Sequence, residues 1–221
     1  MDTLKIFLLD CSFEVEGGEE FSVEFHGIDK SKFSVSEEGG MYELRQIKRN
    51  KAIGNWFLSF RESSGKVFMT VPREIKEITV DSGNGVAEVS SLSARNVHLR
   101  NGNGKIGLHN IKSETIDAKT GNGKITAENL WARTVTLRTN NGKIDGQQIL
   151  AENSCSLETQ NGSIGLQTQL PDNAGYRVLT RNGSAIVQQN ENMLENHREG
   201  SPCYELSTSN GRAELHILTQ E

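Results

Sequence analysis

One recurring dipeptide restricts the fold of this chain more than any other feature. Asn-Gly pairs begin at Asn84, Asn103, Asn122, Asn141, Asn161, Asn182 and Asn210, at intervals of 19, 19, 19, 20, 21 and 28 residues. An apolar register travels with them. Leu99, Ala118, Leu137 and Leu157 stand four before the Asn, and Ile106, Ile125, Ile144 and Ile164 stand three after it. Ile111, Leu130 and Ile149 stand eight after, and Ile116 and Val135 thirteen after. Polar and apolar residues alternate between these positions, as in Thr134-Val135-Thr136-Leu137, so the segments read as strands with one buried face.

The repeat disposes of a competing motif. Gly102-Asn103-Gly104-Lys105-Ile106-Gly107 fits the G-x-G-x-x-G spacing of a dinucleotide-binding turn. Its siblings GNGKIT (121–126) and NNGKID (140–145) keep the Asn-Gly-Lys-Ile centre and lose the outer glycines, and no helical pattern follows any copy. No nucleotide or other cofactor is therefore expected. Asn-Gly is also a hairpin turn signal, but a constant period with a constant register favours coils stacked on one another. Each coil then lays its strands on the previous coil's strands and buries an interior that no coil could bury alone. The predicted fold is all-β, a β-solenoid of the parallel β-helix type with coils of about 19 residues. The Asn side chains from Asn84 to Asn210 would form a structural ladder along one corner.

Residues 1–71 lack this period and read as strands punctuated by Gly17-Gly18, Gly39-Gly40 and Ser64-Gly65, among them Phe21–Phe25 and Trp56–Phe60. They predict an N-terminal antiparallel β-meander cap over the open edge of the solenoid, which would occupy 72–221. The longest interval predicts a polar insertion at about 188–201, with a short helical turn over Glu191–Arg198.

Phe68-Met69-Thr70-Val71-Pro72, then Ile78-Thr79-Val80 leading to Gly83-Asn84-Gly85 and the Asn-Gly-Lys-Ile copies, resemble a bacterial family. These are the β-strand-repeat proteins called "putative adhesins", which include LiaG-like proteins. The resemblance implies a β-solenoid, a non-enzymatic binding or scaffold role, and association with the cell envelope or its stress response.

Composition narrows the chemistry. Only 34% of residues are hydrophobic and 6% aromatic, which suits a slender interior with many turns. Net charge is −5, so nucleic acid is not an expected partner. Cys11, Cys155 and Cys203 have no C-x-x-C spacing, and His26, His98, His109, His197 and His216 have no metal-ligand spacing, so no metal site is expected. Asp117, Glu128, Asp145 and Glu158 occupy different repeat positions, which separates them from the paired carboxylates of an acid/base catalyst. A polysaccharide-active enzyme is the alternative reading, and a self-assembling scaffold a third. The start, MDTLKIFLLDCSFEV, lacks the pattern of a lipoprotein signal, and no stretch is long and apolar enough to span a membrane. The sequence as it stands therefore predicts a cytoplasmic location.

One stripe of charge recurs with the repeat. Arg100, Lys119 and Arg138 stand three before the Asn, and Lys105, Lys124 and Lys143 two after it. Parity turns all six outward beside one corner. They are the candidate anion-binding residues, with an anionic envelope polymer, lipid headgroups or an acidic protein as partner.

Overall fold

A computed structural model describes residues 1–47 and 65–219. The expected strand at Trp56–Phe60 lies outside them. Sixteen strands are described: β1 (Thr3–Leu8), β2 (Ser12–Gly18), β3 (Ser22–His26), β4 (Phe33–Glu38), β5 (Met41–Gln46), β6 (Lys66–Pro72), β7 (Glu74–Ser82) and β8 (Ala87–Asn101). The series continues with β9 (Ile106–Thr120), β10 (Ile125–Asn141), β11 (Ile144–Asn161), β12 (Ile164–Gln169), β13 (Gly175–Gln189), β14 (Asn192–Leu194), β15 (His197–Arg198) and β16 (Cys203–Leu218). All belong to one largely parallel sheet that winds into the predicted solenoid.

Strands β8 to β11 are 15 to 18 residues long because each runs around most of a coil. Identical repeat positions stack: Ala87, Ile106, Ile125, Ile144 and Ile164 are successive partners, as are Val97, Ile116, Val135 and Cys155. These side chains are buried and fill the interior. The coil bends at residues that the ladder skips. Ser91, Asn110, Asn129 and Gln148 hold φ of 59, 54, 53 and 51°, a left-handed conformation that turns the chain in a single residue. The ladder also skips Arg95, Glu114 and Arg133. There β11 places Glu152 and Asn153 opposite the single Arg133, and this extra residue lengthens one interval to 20.

The two ends differ from the expected order. Strands β1 and β2 are parallel members of the stack rather than part of an antiparallel meander. β1 lies between β5 and β7, and β2 between β6 and β8. Leu4, Ile6 and Phe13 thereby pair with Ile78, Val80 and Ala87, so residues 3–16 form a coil that the Asn-Gly period does not reveal. Among the described residues, antiparallel pairing in this region is confined to β3 on β6 and β4 on β5. At the far end β16 inserts between β11/β12 and β13. The excursion before it forms β14 and β15, both antiparallel to β13, in place of the expected helical turn.

Candidate functional site

The Asn-Gly corner is built by three ladders. Outermost, Asn103 Nδ2 donates to Asn84 Oδ1 at 3.1 Å, Asn122 to Asn103 at 2.7 Å, Asn141 to Asn122 at 2.7 Å and Asn161 to Asn141 at 2.9 Å. The run continues in spatial rather than sequence order, with Asn210 donating to Asn161 at 2.7 Å and Asn182 to Asn210 at 2.9 Å. Asn84 begins it by donating to Asp10 Oδ1 at 3.0 Å. Two residues before every corner Asn except Asn182, a buried polar side chain faces inward. The hydroxyls of Thr120, Thr139, Thr159 and Thr208 donate to the carbonyls of Gly104, Gly123, Gly142 and Gly162, at 2.9 to 3.2 Å. Asn101 fills the same position, and its Nδ2 donates to Gly85 O at 3.0 Å. The glycines form the third ladder. A Cβ on Gly104, Gly123, Gly142 or Gly162 would overlap the carbonyl oxygen of the glycine on the preceding coil.

This scaffold holds the six basic residues in rows. Arg100, Lys119 and Arg138 are successive partners in register, with Asp81 before them and Glu158 after. Arg138 Nε donates to Glu158 Oε2 at 3.1 Å. Across the corner, Lys124 and Lys143 both reach Asp145 Oδ2, at 3.0 and 2.9 Å. Burial works to raise the Asp145 pKa, but hydrogen bonds from both ammonium groups and their charges outweigh it and hold the carboxyl below the usual range. Arg100, Lys105 and Lys119 are exposed and have no ion pair among the described residues. Arg100, Lys119 and Arg138 line a shallow groove of about 620 Å³ together with Asp81 and Asp117. The corner thus has two halves, a lysine pair sharing one carboxylate next to the unpaired Lys105 on one side and a row with two uncommitted cations on the other.

The four carboxylates singled out from the sequence are dispersed. Asp145 and Glu158 hold the basic groups just named, Glu128 lies 3.4 Å from His109, and Asp117 lines the groove. Among the described residues, no three His, Cys, Asp or Glu side chains come close enough to hold a metal ion. Cys11 and Cys155 are buried thiols, and burial pushes them up to about 11 and about 12, while Cys203 is exposed. Sequence reasoning missed two surface features. Trp131 is 51% exposed, with Lys112 Nζ 4.6 Å from its ring centre. The bend at Asn110 and Asn129 carries its own amide bond, 3.0 Å from Asn129 Nδ2 to Asn110 Oδ1. Its signal was available, since the pair shares the 19-residue interval and Asn tolerates the left-handed conformation.

Stacked coils, amide-bonded corners and outward charge rows define a repeat protein of the β-solenoid class. The chain belongs to the Toastrack DUF4097 family, whose model matches residues 9–151. Its fold is similar to that of a "putative adhesin" from Bacteroides fragilis, with a TM-score of 0.56 and 13% identity over 98% of this chain and 91% of that one. A "putative cell adhesion protein" from Clostridium sporogenes aligns over 99% of this chain and 92% of its own, at 14% identity and a TM-score of 0.36. No curated protein matches the chain. Among the described residues, no helix is long and apolar enough to cross a membrane.

Proposed function

We propose that the chain is a non-enzymatic binding module that holds an anionic polymer along its Asn-Gly corner. The observation that carries this reading is the row Arg100, Lys119 and Arg138. It sets three cations in register on consecutive coils, with two of them free of any ion pair among the described residues. Adjacent members are separated by roughly one strand spacing, about 4.8 Å, so the row presents a periodic charge to a periodic ligand. Asp81 and Glu158 close the row at its ends and limit the contact to about three coils. A chain of net charge −5 keeps this basic edge despite its overall repulsion of anions, and the names carried by the structural neighbours agree with a binding role.

Co-sedimentation with anionic vesicles and titration with polyphosphate test the proposal and separate a headgroup from a free polymer. Wild-type protein binds at low salt, and binding falls as salt shortens the screening length to about 10 Å at 0.1 M. Reversing Arg100 and Lys119 to Glu, the two exposed members of the row with no ion pair among the described residues, weakens it more than about tenfold with less than about 0.5 kcal/mol change in stability, as expected at exposed positions. Equal binding by the reversed protein, or none by wild type at low salt, makes the stripe edge protection alone.

A further inference from the structure

We propose a second site, independent of the basic corner, in which the groove formed by the last coils binds the hydroxyl groups of a neutral oligosaccharide. Gln148, Gln167, Gln169, Gln188, Asn190 and His216 line this groove, whose volume is about 800 Å³. That lies within the roughly 300–1,000 Å³ of small-ligand sites. The fold assembles it from segments far apart in sequence. Gln167 on β12, His216 on β16 and Gln188 on β13 are partners in register on three neighbouring strands. Gln148 and Asn190 take the left-handed bend, with φ of 51 and 52°, and flank the groove on the inner and outermost coils.

The chemistry of the lining selects the ligand. In a chain that is 24% charged, no Asp, Glu, Lys or Arg lines the groove among the described residues. A charged polymer would find no counter-charge there. Each primary amide offers two donors and a carbonyl acceptor in one plane, which suits neighbouring sugar hydroxyls that each both donate and accept. These amides are also uncommitted. The four glutamine side chains and Asn190 make no side-chain hydrogen bond to another described residue, whereas the amides of the Asn-Gly corner are bonded to one another. Leu218 adds apolar surface of the kind that the C–H faces of a pyranose ring contact. The in-register row advances by about 4.8 Å per strand, close to the length of one sugar residue, so an oligomer can meet Gln167, His216 and Gln188 in turn.

The test is a titration of the full chain with maltohexaose, cellohexaose and chitohexaose, followed through the side-chain NH2 resonances of glutamine and asparagine. At least one sugar should give saturable shifts centred on Gln148, Gln167, Gln169, Gln188 and Asn190. Combining Gln167→Ala with Gln188→Ala should weaken binding about tenfold, the equivalent of losing two modest hydrogen bonds. The same variant should keep its unfolding midpoint and its polyphosphate binding, which separates failure here from failure of the basic corner. No shift with any of the three sugars at millimolar concentration overturns the proposal. So does equal binding by the double variant, or displacement of these amide signals by polyphosphate instead of sugar.

Discussion

Glycine follows each corner Asn because of what lies on the next coil, and only secondarily because of its own torsions. Gly85, Gly183 and Gly211 do hold positive φ, but Gly104, Gly123, Gly142 and Gly162 lie outside that region. There the stacked carbonyl occupies the volume that a Cβ would need. The residue type was legible in the sequence and its cause was not, since period 19 shows that a position recurs without showing what approaches it. Gly142→Ala should therefore lower stability by about 1–3 kcal/mol, the usual cost of overpacking. At Gly165 an added Cβ would meet nothing closer than Asp145 Oδ1 at 3.7 Å, so Gly165→Ala should be neutral or stabilise by up to about 1 kcal/mol. Paired urea titrations measure both, and equal losses at the two positions would refute the stacking explanation.

Coils divide into those the sequence reveals and those it hides. The coils that β8 to β11 form keep both the Asn-Gly pair and the apolar register, so their strands, inward faces and corner could be read directly. The coil built from β1 and β2 could not. Its corner residue is Asp10, followed by Cys11 in place of Gly, and its neighbour in the ladder is Asn84, 74 residues away. A period sought between adjacent copies misses such a long return. The basic candidates were legible as outward rows, but their state was not. The pairing of Lys124 and Lys143 on Asp145 depends on a residue from one coil meeting lysines from two. The amide groove was less legible still, because β16 returns to lie between coils that are consecutive in the chain. Register itself can be tested at Ile125, which is fully buried between Ile106 and Ile144. Ile125→Asp should destabilise by more than about 4 kcal/mol as a buried charge without a partner, and Ile125→Val by about 0.5–1.5 kcal/mol. An unchanged midpoint for the aspartate variant would mean that the position faces water.

Viewed whole, the solenoid places its first and last strands one coil in from its ends. The first strands lie beneath β5 and β6, and the last strand lies beneath β13, so internal segments of the chain form the outer coils. Each outer coil then carries antiparallel strands, β3 and β4 at one end and β14 and β15 at the other. That arrangement shields the parallel stack from edge pairing with further copies and leaves its long lateral faces for binding. Along the Asn-Gly edge the six candidate cations lie beside carboxylates such as Asp81, Asp117, Asp145 and Glu158, so the strength of the edge depends on how many cations are free. One polyphosphate titration at low and moderate salt, run on three proteins, tests this most directly. An exposed charge contact contributes up to about 1 kcal/mol, or about fivefold in affinity. Asp145→Asn, which releases Lys124 and Lys143, should bind severalfold tighter than wild type. The combination Arg100→Glu with Lys119→Glu should bind more than about tenfold weaker, and added salt should narrow both differences. The same affinity for all three proteins at low salt would contradict polyanion binding at this corner.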